Sequence, residues 1–335
     1  MSKPVLVACL LAATAAAALL ASSCRSLPKS ELQQRVAALE KNAALTGLER
    51  LEFSADLGGG DQPLELVYHH APGPEGNASP PVVLVHGTPS TLYAWTELIH
   101  GTEAFEGLAA ARDVYAIEVI GHGFAPGDAS PYSFDRCARF VAGALAALDL
   151  ERVHLVGSSY GGEFAWRAAL LAQERIASVA LLDASGIERR EGDWLSEEIV
   201  MRENGLADLG WLLNSRDRIA SALAPHFDGI PADRVEEFFL VCENAHNWKA
   251  MIALARDENG QAASQLPNLR APVLLLWGAN DLAYPPDHYA QRFADLLPDS
   301  ELVTLPDTGH YPHEQRPELV VPLLEGFYDE VEARP

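Results

Sequence analysis

Residues 152–162 read Arg-Val-His-Leu-Val-Gly-Ser-Ser-Tyr-Gly-Gly. A short apolar run, Val153 to Val156, breaks abruptly into Gly157-Ser158-Ser159-Tyr160-Gly161, and an alanine-rich helical pattern follows from Glu163 to Leu171. A buried strand that stops, turns sharply and starts a helix is the setting in which G-x-S-x-G has a mechanical meaning. The turn forces its central residue into a strained backbone, and the flanking glycines avoid collisions that side chains would make there. The Ser159 hydroxyl should then stand out from the carboxyl edge of a sheet, with the Tyr160 N–H at the start of the helix facing whatever it attacks. A plain Gly/Ser turn would read the same over five residues, so the rest of the chain has to decide.

Working outward, the same rhythm recurs on both sides. Leu51–Leu57 and Leu64–His69 read as two strands joined by Gly58-Gly59-Gly60-Asp61. Pro81–Val85 is a continuous apolar run, as expected of a strand buried on both faces, and Val114–Ile120 and Ile176–Leu182 read as further buried strands. Helical patterns lie between them, over Thr91–Leu108 and Ser133–Leu148. The rhythm lapses from about Glu188 to Leu266, where helical stretches carry Trp194, Trp211, Phe238, Phe239 and Trp248. That is too long for a loop in a compact domain, so residues 188–266 are predicted to form a helical cap. Strands resume at Pro272–Trp277 and Glu301–Leu305, with helices over Pro286–Leu297 and Pro317–Val331. The prediction is an α/β fold: a mostly parallel, doubly wound sheet built from residues 49–187 and 267–335.

A formal charge of −23 argues against nucleic acid as a partner and disfavours adhesion to anionic lipid by charge alone. Met1 to Cys24 reads as a targeting segment, with Lys3 as a minimal basic region and an apolar run from Val5 to Ala21. Leu20-Ala21-Ser22-Ser23-Cys24 resembles a bacterial lipobox, although Ala21 stands where that box usually has Leu. Cys24 is therefore a candidate lipidation site, with cleaved export and an uncleaved anchor as alternatives. Each places the body outside the cytoplasm, in the cell envelope or periplasm, with a membrane tether possible through the N-terminus. Residues 25–48 read as a tether. Cys137 and Cys242 could form a disulfide or remain free thiols, and no metal-ligand spacing is present.

A serine hydroxyl needs a base within hydrogen-bond reach, and the base needs an acid to fix its tautomer. Reactive groups of such sheets gather at the carboxyl ends of strands. Asp281 follows one buried strand and His310 follows the last, giving the order Ser159, Asp281, His310. Asp183, also at a strand end, is the rival acid, and His313 the rival base.

The motifs VVLVHGTP, EVIGHGFA, VHLVGSSYGGEFA, VLLLWGANDLAYP and DTGHYPHEQRPE together resemble the α/β-hydrolase superfamily from about Leu51 onward. The HGTP form is similar to the cap-bearing branch that holds epoxide hydrolases, haloalkane dehalogenases and serine esterases. The first two use an aspartate nucleophile where this chain has Ser159, so the resemblance implies the serine group. It also implies an oxyanion hole from the backbone N–H groups of Thr88 and Tyr160, a structural role for His86 and His122, and no metal or organic cofactor. Ser158 is expected to hydrogen-bond locally, and His246 and Trp248 are expected to be ordinary cap residues. The expected function is hydrolysis of small-molecule carboxylic esters through an acyl-enzyme, with an acyl or aromatic substrate part under the cap. Hydrolysis of a carbon–carbon bond in a diketone-like substrate, or a binding protein on a hydrolase fold, are the alternatives. Oligomeric state is left open.

Overall fold

The computed structural model describes residues 26–126, 130–190, 192–193, 207, 214–227 and 229–334. The targeting segment with Cys24, and the cap residues Trp194 and Trp211, lie outside the described residues. Among those described, no helix is long and apolar enough to cross a membrane.

Among the described residues ten strands form in chain order: β1 (Glu49–Asp56), β2 (Asp61–Ala71), β3 (Val82–Val85), β4 (Gly101–Thr102), β5 (Phe105–Glu106), β6 (Val114–Glu118), β7 (Val153–Ser158), β8 (Ile176–Leu182), β9 (Val273–Gly278) and β10 (Ser300–Leu305). Eight of them make one sheet in the order β1-β2-β6-β3-β7-β8-β9-β10. The first hairpin is antiparallel and β6 to β10 run parallel, as the alternating strand and helix patterns require. β7, which leads to Ser159, lies in the middle, with Gly157 opposite Val85 of β3 and Leu181 of β8.

The central strands feed two cores by strict alternation. Val83, Val85, Leu155, Leu181 and Leu275 face one side, packing against α3 (Phe134–Ala147), α4 (Tyr160–Leu171) and α8 (Tyr289–Leu296). Val82, Leu84, Val156, Leu182 and Leu276 face the other, with α1 (Lys29–Ala37), α2 (Thr96–His100) and α10 (Pro317–Glu332). A side-chain period of two in strands covered on both faces turns the whole run apolar. Each such residue contributes about 1.5–3 kcal/mol by burial.

The cap comprises α5 (Arg216–Leu223), α6 (Ala232–Cys242) and α7 (Ala245–Asp257), and a short α9 (Pro312–Gln315) follows the last strand. A cap core of Ile219, Leu223, Phe238 and Cys242 closes on Tyr311 of the sheet domain.

Three expectations change, and one open alternative resolves. Residues 26–46 are not a spacer: Leu27, Leu32, Val36 and Leu45 are buried in the second core. The helix expected through Leu108 ends at His100, because Gly101 turns at φ 70° where a Cβ would lie 2.3 Å from the Phe105 carbonyl. The chain then makes the β4–β5 ribbon. The Ser158 hydroxyl is buried with no hydrogen-bond partner among the described residues. Cys137 on α3 and Cys242 on α6 resolve as buried free thiols, in the sheet core and the cap core respectively.

Candidate active site

Ser159 sits between β7 and α4 with φ 55° and ψ −125°. A non-glycine residue in that region costs on the order of 1–3 kcal/mol and persists only where its surroundings over-determine it. Here the Ser159 N–H donates to the Leu182 carbonyl at 3.0 Å, and the Ser159 carbonyl accepts from Gly162 and Ser185. A Cβ on Gly157 would lie 2.3 Å from the Gly161 carbonyl, so the turn closes only with glycine there.

The structure brings together the three residues read from the strand ends. The Ser159 hydroxyl donates to His310 Nε2 at 3.0 Å, and His310 Nδ1–H donates to Asp281 Oδ2 at 2.9 Å. The other Asp281 oxygen accepts the N–H groups of Ala283 at 2.8 Å and Tyr284 at 3.2 Å. Burial pushes the Asp281 carboxyl up, but His310 and these donors outweigh it and hold it below the usual carboxylate range.

Asp183, the rival acid, lies behind this pair. Its Oδ1 accepts the Gly278 N–H at 3.0 Å, and its carboxyl, Asp281 and His310 offer atoms all within 4.8 Å of one another. Burial, and then the charge of Asp281, push Asp183 well above its ordinary value, so of the two carboxyls it is the one that holds a proton more readily. Among the described residues these three are the cluster that could face a cation, and a hydrogen bond between the Asp183 and Asp281 carboxyls joins the two acids within it. His313, the rival base, instead lies against Trp95 at 4.2 Å between ring centres.

The His86-Gly87-Thr88 loop crosses directly over the serine: a Cβ on Gly87 would lie 2.9 Å from the Ser159 Cβ. Two histidines shape it. The Val119 N–H donates to His86 Nε2 at 3.2 Å, so His86 carries its proton on Nδ1 and donates to the Gly87 carbonyl at 2.8 Å. His122 Nδ1–H donates to the Ile120 carbonyl, leaving Nε2 to accept the Thr88 hydroxyl. Burial pushes His86 down to about 4 and His122 down to about 3, so both are neutral near pH 7.

Three contributors escaped the sequence reading. His226, in the turn after α5, accepts the His310 N–H on its carbonyl at 3.2 Å and sets its ring 5.3 Å from that of His310. Glu258 accepts hydrogen bonds from Tyr160 at 2.8 Å, Tyr284 at 2.9 Å and Arg189 at 3.1 Å, tying the serine turn and the acid loop to the end of the cap. Glu118 accepts the Leu92 N–H at 3.1 Å beneath the His86 loop, where burial pushes it up to about 8. Nothing in spacing or periodicity singles these out, since each acts on residues far away in sequence. His246 is exposed on α7, and Trp248 donates to the Ala207 carbonyl.

Residues 82–323 match the family described as "Alpha/beta hydrolase family". The chain is 29% identical over 214 residues to an uncharacterized hydrolase, YugF, of Bacillus subtilis, covering 58% of this chain and 72% of that one. It is 25% identical over 268 residues to a 2-hydroxy-6-oxononadienedioate/2-hydroxy-6-oxononatrienedioate hydrolase of Paraburkholderia xenovorans, covering 75% and 86%. Among solved structures it is similar to a membrane phospholipase A described as a bacterial virulence factor, at TM-score 0.70 and 25% identity over the full length of both chains. A matched region spanning most of the chain, on a mostly parallel eight-stranded sheet with the serine turn at its centre, makes this protein a member of the alpha/beta hydrolase family and a hydrolase of that type.

Proposed function

We propose that the protein is a serine hydrolase that cleaves carboxylic esters. Ser159 Oγ bonds to the ester carbonyl carbon as its proton passes to His310 Nε2. The carbonyl oxygen, now an oxyanion, faces the N–H groups of Thr88 and Tyr160. Collapse breaks the bond to the alcohol, which leaves with the proton from His310. Water then gives a proton to His310 and attacks the acyl carbon, the acid departs, and Ser159 recovers its proton. Asp281 keeps the His310 proton on Nδ1 and stabilises the imidazolium. The observation that carries the reading is the unbroken hydrogen-bonded line from Ser159 through His310 to Asp281.

A fluorophosphonate probe should label the protein at Ser159 and leave Ser159→Ala unlabelled. Label retained in that variant would sink the assignment. Full-length similarity to a membrane phospholipase A supports a lipid ester as the substrate, as does the apolar N-terminal run. Release of fatty acid from phosphatidylcholine vesicles, set against a series of soluble esters graded by acyl length, measures that preference.

Similarity to a dienedioate hydrolase supports a second reading, carbon–carbon bond cleavage by the same residues. Turnover of diketone-like substrates faster than of any ester would favour it. We further propose export and attachment to the cell envelope through Cys24, for which the mass of the mature N-terminus is the test.

A further inference from the structure

The segment expected to be a spacer reaches into the machinery instead. Lys29, in the first turn of α1, sends its ammonium group to the His122 carbonyl at 3.2 Å and to Asn247 Oδ1 at 2.6 Å. Asn247, on α7 of the cap, donates to the Gly123 carbonyl at 2.8 Å and the Val241 carbonyl at 3.2 Å. The Gly121-His122-Gly123 turn is therefore gripped on consecutive carbonyls by the N-terminal segment and by the cap. The same turn presents His122 Nε2 to the Thr88 hydroxyl. Gly87, next to Thr88, lies in contact with Ser159.

The grip is anchored at both ends. Upstream, Leu27 N–H donates to the Glu243 carbonyl at 3.0 Å and Asn244 donates to the Leu27 carbonyl at 2.7 Å. Downstream, Lys41 pairs with the buried Glu237 at 2.6 Å. Leu32 and Val36, both fully buried, seat the helix between them. The half-buried ammonium group also faces the charge of Glu118, whose carboxylate accepts the Leu92 N–H beneath the same loop. The ordinary use of a lysine in a helix first turn is solvation, and the first turn is its least favourable place.

We propose that Lys29 is a positioning residue for the oxyanion loop, acting through the Gly121-His122-Gly123 turn on Thr88, so that the N-terminal segment completes the active site. The inference rests on the reading of Thr88 as an oxyanion donor. Lys29 touches no reacting atom. It fixes where the turn stands, the turn fixes His122, and His122 fixes the Thr88 side chain and so its N–H.

The test is a double-mutant cycle in the full-length chain, with kcat measured per active site titrated by fluorophosphonate. Titration counts the reactive fraction alone, so partial misfolding does not register as slow chemistry. Lys29→Met should lower kcat about tenfold with KM little changed, and Lys29→Arg should recover part of the loss. Affinity for a trifluoromethyl ketone, which forms the tetrahedral adduct, should fall in parallel, whereas the pH profile of kcat keeps its shape. In a Thr88→Val background the Lys29→Met effect should shrink to about twofold or less, because the link is already cut. Full kcat in Lys29→Met overturns the proposal, as does an undiminished effect in the Thr88→Val background. If Lys29→Met does not fold, Lys29→Gln, which keeps a donor, carries the same cycle. A wild-type protein that resists the probe overturns the reading of Ser159 itself, and the proposal falls with it.

Discussion

The strand-end loops that carry Ser159, Asp281 and His310 owe their positions to backbone hydrogen bonds, whereas the cap above them is tied down by side-chain charges. On the sheet side, Asn280 N–H donates to the Thr308 carbonyl, Ala279 to Leu305 and Ser159 to Leu182. On the cap side, the buried Arg234 of α6 pairs with Glu237 at 3.2 Å and Glu314 at 2.6 Å, donates to Ser90 at 3.2 Å, and covers the Phe238 ring. Backbone bonds cannot be removed by changing one side chain, but a buried ion pair can. The two sides should therefore fail differently: the sheet side in chemistry, the cap side in stability.

The largest expected effect is on the sheet side. Asp281→Asn should lower kcat by roughly 10⁴-fold, the order seen when a triad acid loses its charge, with little change in melting temperature. Asp183→Asn, which replaces the carboxyl that burial pushes up, should stay within about threefold of wild type. Equal losses in the two would erase the distinction between the two acids.

On the cap side, Arg234→Met should destabilise by about 3–5 kcal/mol, because Glu237 and Glu314 lose a buried counter-charge. Urea unfolding followed by tryptophan fluorescence measures it. A variant that loses stability no faster than an exposed pair would deny the cap its electrostatic character.

Acid should act on the supports of the His86-Gly87-Thr88 loop. His86 and His122 have folded-state values of about 4 and about 3, below the 6.5 of a free imidazole. Protonation therefore favours the unfolded chain. Their contribution is complete above pH 6.5 and is lost as pH falls below it, down to about 4 for His86 and about 3 for His122. Glu118, raised to about 8, works in the opposite sense, its contribution fading as pH rises from about 4.5 to 8. The urea midpoint should drop between pH 7 and pH 5, and the drop should shrink in His86→Gln. The smallest effect is expected from reductant. Cys137 and Cys242 lie in different cores as free thiols, so dithiothreitol should leave the melting temperature unchanged. A clear fall would reveal a covalent link between sheet and cap.

The same contrast governs what could be read from the sequence. Val273–Trp277 announces a strand because burial on both faces leaves it wholly apolar, and Val153–Val156 does so with His154 as its one polar residue. Gly157 and Gly161 announce the turn because backbone occupies the space of a side chain. Asp281 and His310 follow from strand ends and chain order. The cap and the N-terminal segment give no such pattern. Leu32 and Val36 make only a narrow stripe on an otherwise polar helix, so residues 26–46 pass for a tether. His226 and Glu258 act through a carbonyl and a shared carboxylate, neither of which leaves a spacing to find. Gly101 could have been read as a break in the helix expected through Leu108, but the apolar residues around it preserve a helical period across the β4–β5 ribbon.

The docking of Ser26 and Leu27 has a mechanical corollary. Ser26 Oγ accepts the Ala245 N–H at 2.9 Å, and Arg25 alone separates it from Cys24. Two residues span at most about 7 Å. Were Cys24 to carry the acyl chains proposed for it, the enzyme would have no leash. The start of α7 would be held against the lipid headgroups, and the molecule would meet the bilayer in one fixed attitude rather than sweeping the space above it.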